Sequence, residues 1–205
     1  MGLTPRELER QIEADLDWRH AELAIFREMI TPSSISLVRQ HALFRAAWAI
    51  LYAHYEGFCK NSLQLFADYL TGLPDCDKLS HSMFLFLHDK SIRDAKTLPH
   101  AAAYEFFRNT LEKMKQNPPP SLTVDTKSNL WPSLLEELLY SFDIAPTSVI
   151  ERPESIKTLV ARRNDIAHGQ KVFISDLAYY LEYENAVRNL MYALALAIID
   201  RVGHL

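Results

Sequence analysis

Arg163, Asn164 and His168 lie within a six-residue stretch, and their side chains together supply what a metal-free attack on a phosphodiester needs. Arginine is permanently charged and fork-shaped, which suits a phosphate. Histidine exchanges protons near neutral pH. Gly169 follows at once and has the character of a residue just past a helix end, so His168 falls in the last turn. There the helix dipole favours the imidazolium, and such a group serves as a general acid, or as a base once deprotonated. Asn164 and His168 are four residues apart and share a helix face. Arg163 and His168, five apart, diverge by about 140°. Either the long arginine stem wraps round, or a second subunit completes the site. The plainer alternative makes His168 a C-capping side chain and Arg163 a surface ion-pair partner.

The surroundings add charge. Arg152, Lys157, Arg162 and Lys171 flank the stretch, diluted by Glu151, Glu154 and Asp165. A formal net charge of −4 argues against a protein that coats nucleic acid nonspecifically, yet leaves room for a local basic site. Lys157, Arg162 and Lys171 are therefore candidate nucleic-acid contacts, with a solvated mixed-charge face as the alternative. The other histidines are scattered and form no ligand pair with a cysteine or carboxylate, so neither a metal nor a cofactor is expected. No phosphate-cradling glycine loop and no nucleophilic serine motif is present.

The elements that must carry these residues are helical. Only five glycines occur in 205 residues, and no segment alternates as a strand does. Thr4, Pro5 and Glu7 read as N-cap, first position and capping box of a helix running to about Ile30, where Thr31-Pro32-Ser33-Ser34 breaks it. A second helix is expected from about Ile35 to Leu70. Phe44, Trp48, Leu51, Tyr55, Phe58, Ser62, Leu65 and Tyr69 run along it as one buried stripe. Thr71-Gly72-Leu73-Pro74-Asp75 ends it and opens a helical insertion, residues 71–150. Within the insertion, short helices are expected at Ser82–His88, Pro99–Gln116 and Ser128–Tyr140, with the breaker Asn117-Pro118-Pro119-Pro120 between the last two. Pro153 starts the helix that carries Arg163. Ser175-Asp176 caps a final one to about Val202. The expectation is a single all-α domain over 1–205. Cys59 and Cys76 read as unpaired thiols of a reducing compartment, and the absence of an apolar leader or span points to the cytoplasm.

Arg163-Asn164-Asp165-Ile166-Ala167-His168 resembles the R-N-x-x-x-H signature of HEPN domains. A second segment, Ala53-His54-Tyr55-Glu56-Gly57-Phe58, resembles the corresponding helix of the MAE_28990/MAE_18760-like HEPN branch. The resemblance covers the flanking helices well and the insertion poorly. It implies an all-α bundle that forms a homodimer, with the signature residues of two chains facing across a cleft. It further implies a metal-independent endoribonuclease of a toxin–antitoxin or phage-defence system, with an antitoxin or defence-complex protein as a further partner. By that resemblance Arg163 holds the scissile phosphate, His168 moves the proton, and Asn164 orients phosphate or imidazole. Glu56 and Lys60, four apart, form either an intrahelical ion pair or a support beside the site, in which Glu56 steadies Arg163. Gly57 lets another backbone approach. Relatives silenced by nucleotide attachment carry a tyrosine two residues past the histidine; here that residue is Gln170, so such silencing is not expected. The alternative function is a non-catalytic helical module that binds RNA or protein.

Overall fold

Thr4 begins the first helix as its residue type suggests. Its hydroxyl accepts the Glu7 amide at 3.3 Å while the Glu7 carboxylate accepts the Thr4 amide at 3.0 Å, so α1 (Pro5–Ile30) opens on a complete capping box. The structure, a computed structural model, describes residues 2–31, 36–73, 78–116 and 122–205, with the side chains of 109–116 excepted. The breakers at Pro32-Ser33-Ser34, Pro74-Asp75 and Asn117-Pro118-Pro119-Pro120, and Cys76 with them, lie outside the described residues.

The remaining helices are α2 (Leu37–Thr71), α3 (His81–Leu87), α4 (Asp89–Lys96), α5 (His100–Gln116), α6 (Pro132–Ser141), α7 (Pro153–Ala167) and α8 (Leu177–Gly203), with a 3-10 turn at Pro146–Ser148. Among the described residues there is no strand, and the protein is all-α. The core lies where α1, α2, α7 and α8 meet. The α2 stripe is buried at every position except Leu65, which is half-buried. Apolar burial at about 25 cal/mol per Å² is what holds a helix this long in place. Trp48 shows how the stripe sets register. Its indole N–H donates to Leu159 O at 3.1 Å, binding α2 to α7.

The insertion differs from expectation in two places. The short helix expected at Ser82–His88 forms as α3, but an unexpected helix, α4, follows it directly past His88, whose φ of −100° and ψ of 7° leave the helical region. The helix expected from Ser128 begins only at Pro132. Proline disfavours helical backbone in the residue before it, and Trp131 is extended (ψ 152°). Lys127 and Ser128 take positive φ, 49° and 65°, which a continuing helix forbids.

Residues 122–131 instead form an extended strap laid along α2. Val124, Thr126 and Leu130 face inward. The Gln64 amide donates to Leu122 O at 2.7 Å and its carbonyl accepts the Val124 amide at 2.9 Å. Tyr55 donates to Leu130 O, and the Tyr52 hydroxyl accepts the Leu130 amide, both at 3.0 Å. These four fastenings all come from side chains of α2.

Candidate active site around Arg163 and His168

Leu159 to Arg163 is one turn of α7, and Trp48 to Tyr52 is one turn of α2, so the contact made by Trp48 brings Arg163 over Tyr52. The guanidinium carbon lies 3.7 Å from the centre of the Tyr52 ring. Nη1 donates to Asn164 Oδ1 at 3.0 Å and Nη2 to Ser128 O at 3.5 Å, while Glu56 Oε2 stands 3.6 Å from Nη2. Three segments distant in sequence thus hold one arginine: α2, the strap and α7 itself. The Arg163 side chain keeps 20% of its surface exposed, enough for an anion to reach it. A part-buried cation over an aromatic face is worth about 1–2 kcal/mol, which fixes its direction more firmly than the ion pair alone.

Tyr52 is a platform and not a proton carrier. Burial pushes its phenol up to about 12, and Glu56 adds to the rise while the Leu130 amide and Arg163 oppose it. Glu56 stands within ion-pair distance of Arg163, and no ion pair joins it to the exposed Lys60. Its other oxygen, Oε1, is buried without a hydrogen-bond partner.

His168 is the C-cap of α7, and Gly169, at φ 77°, is the residue past the end. The Gly169 amide reaches Ile166 O at 3.0 Å and the Gln170 amide reaches Asp165 O at 2.8 Å, which closes the helix in a full Schellman arrangement. The His168 imidazole is exposed, and no hydrogen bond, ion pair or ring contact joins it to Arg163. Within one chain the two groups remain apart, as a separation of five helical residues dictates. Asn164 serves the arginine, not the imidazole.

The other basic candidates separate. Arg162 turns towards α8, its guanidinium 5.5 Å from the Trp48 ring and 5.0 Å from that of Tyr179, with Nη1 donating to Phe173 O at 3.4 Å. Lys157 is exposed and pairs with Glu154 at 3.7 Å; Lys171 is exposed on the following loop. Gly57 corrects an expectation. What approaches it is a side chain and no backbone: a Cβ there would lie 2.9 Å from Arg19 Nη1. Arg19 is buried, stacks on Trp18 at 4.6 Å and binds Asp15 at 3.1 Å. His54 also faces α1, with Glu22 Oε2 2.8 Å from its Nε2. The second motif is therefore divided between two faces of α2, with only Glu56 turned to α7.

Sequence reasoning missed Tyr52 and Ser128. Tyr52 carried a usable signal, since it precedes Glu56 by one helical turn. Ser128 carried none, because it contributes a backbone carbonyl that any residue possesses. Among the described residues no cluster of three potential metal ligands occurs, and no helix is long and apolar enough to cross a membrane.

A four-helix core that presents an arginine, an amide and a terminal histidine from one helix, with a carboxylate behind them, defines a HEPN-type arrangement. The family model for MAE_28990-like HEPN domains matches residues 8–204, and the chain belongs to that family. Comparison with the curated proteins and with the solved structures found no match.

Proposed function

We propose that this protein is a metal-independent endoribonuclease of the toxin or phage-defence kind, acting as a homodimer. The observation that supports it is the Arg163 guanidinium, held by Glu56, Tyr52, Ser128 and Asn164 yet still open to an anion, five residues before an exposed His168. Arg163 binds the scissile phosphate and stabilises the charge that grows on it. One His168 takes the proton from the 2′-hydroxyl as its oxygen bonds to phosphorus. The His168 of the second copy gives a proton to the departing 5′-oxygen. The products are a 2′,3′-cyclic phosphate and a free 5′-hydroxyl. Since the nucleophile is the 2′-hydroxyl, DNA is not cut.

The separation of Arg163 from His168 within one chain favours a second reading, a binding module without catalysis. Cleavage of RNA in excess chelator decides between them. The expected result is cleavage by the wild type, a fall of at least about a hundredfold in His168→Ala and in Arg163→Ala, and no cleavage of the matching DNA. Equal, residual cleavage by all three proteins overturns the nuclease reading and leaves the module.

A further inference from the structure

The strap that delivers Ser128 O to Arg163 has a second side. Two depressions of about 630 and 260 Å³ border it there, and they share Lys127, Leu134 and Glu137. Together they form a groove between the strap, the outer face of α6 and the α3–α4 corner. Its larger part falls within the roughly 300–1,000 Å³ of sites that enclose a small organic group. Lys127 and Asn129, which flank Ser128, both line it, so the groove starts one residue from the carbonyl bound to Arg163.

Its chemistry is that of an acceptor. Asp89 is paired with Arg93 at 2.8 Å, and Asp125 accepts the Lys127 amide at 2.8 Å. The Glu137 carboxylate has no hydrogen bond or ion pair among the described residues. Asn129 Oδ1 is buried with no partner. Tyr140, 65% exposed, stands one turn beyond Glu137 on α6, and Trp131 lines the narrower end. An exposed carboxylate beside aromatic rings disfavours a phosphate chain and suits the flat face and N–H edge of an unstacked base. A carboxylate accepts two adjacent donors at once. Guanine presents such a pair, N1–H and N2–H, whereas adenine, cytosine and uracil set each donor beside an acceptor. Lys127 at the mouth balances the phosphate that follows.

We propose that this groove seats a guanine base next to the phosphate held by Arg163, with Glu137 reading its N1–H and N2–H edge and Tyr140 stacking on its face. The proposal rests on the nuclease reading for its substrate, but binding tests it separately. Full-length wild type, Glu137→Gln, Tyr140→Ala and Arg163→Ala are titrated with short 2′-O-methyl RNAs that resist cleavage and differ only in one central base. The same proteins are then given cleavable RNA. The wild type is expected to prefer the guanine oligonucleotide. Glu137→Gln weakens that one by about tenfold, the effect of losing a bidentate base contact, and leaves the other three within about twofold. Tyr140→Ala weakens all four. An unchanged guanine preference in Glu137→Gln, with cleavage still lost in Arg163→Ala, overturns the groove and spares the nuclease. Loss of guanine preference in Glu137→Gln with no cleavage by the wild type supports the groove as a binding site and removes the nuclease. Failure of every oligonucleotide to bind, with a basic peptide binding through Glu137, makes the groove a protein dock and overturns the proposal.

Discussion

Arg163 and His168 show how differently one short run can dispose of neighbouring side chains. The arginine is over-determined by a ring, a carboxylate, a carbonyl and an amide. The histidine is placed by backbone alone, through the turn that ends α7. Gly169 carries that turn at φ 77°, and a Cβ there meets no atom within 4 Å. A substitution is therefore penalised by conformation and not by crowding. Gly169→Ala is expected to cost about 1 kcal/mol and Gly169→Asn less, since asparagine tolerates the left-handed region. Urea midpoints measured at unchanged slope give the order Gly, Asn, Ala. A midpoint for Gly169→Ala equal to wild type contradicts it.

Among elements, the strap is the least regular and the most consequential. It has no ladder of its own, and the backbone groups of Leu122, Val124 and Leu130 are satisfied by side chains of α2. Such side-chain fastening is what allows two non-glycine residues, Lys127 and Ser128, to remain at positive φ. Leu130 is fully buried, so Tyr52→Phe leaves its amide without an acceptor. The expected loss is about 1–3 kcal/mol. Amide exchange at Leu130 should accelerate and, on the proposed nuclease reading, RNA cleavage should fall as Ser128 loosens beside Arg163. A stability loss with unaltered Leu130 exchange separates the two effects and removes the strap from the explanation.

For the whole molecule, pH should act through histidines the interior keeps neutral. His20, His54 and His88 are all held below the ordinary value near 6.5, with burial the first cause in each. Arg188 adds to the depression at His20 and Arg19 at His54. Glu22 opposes it at His54 without outweighing burial. Because each folded-state value lies below the unfolded one, the unfolded chain binds more protons as pH falls below neutrality. The stability these groups confer is full above about 6.5 and is lost as pH drops towards their folded values. Melting temperatures should accordingly fall between pH 7.5 and 5.5, and unfolding near pH 6 should take up protons in calorimetry. A melting temperature that is flat or rises on acidification refutes this.

Signals confined to a few residues were legible from the chain alone. Thr4, Pro5 and Glu7 marked the start of α1, Asp176 that of α8, and Gly169 the end of α7, because caps and breakers act through bonds spanning three to five residues. The α2 stripe was legible because helical periodicity repeats locally, and the two motifs carried the family. The strap, the corner at His88 and the company of Arg163 were not legible. Tyr52, Glu56, Ser128 and Arg163 are brought together by packing between segments far apart in sequence, and one contributor is a carbonyl that no residue type announces. Only the tertiary structure decides which of several equally polar neighbours a part-buried guanidinium meets, since that depends on how whole helices share a core.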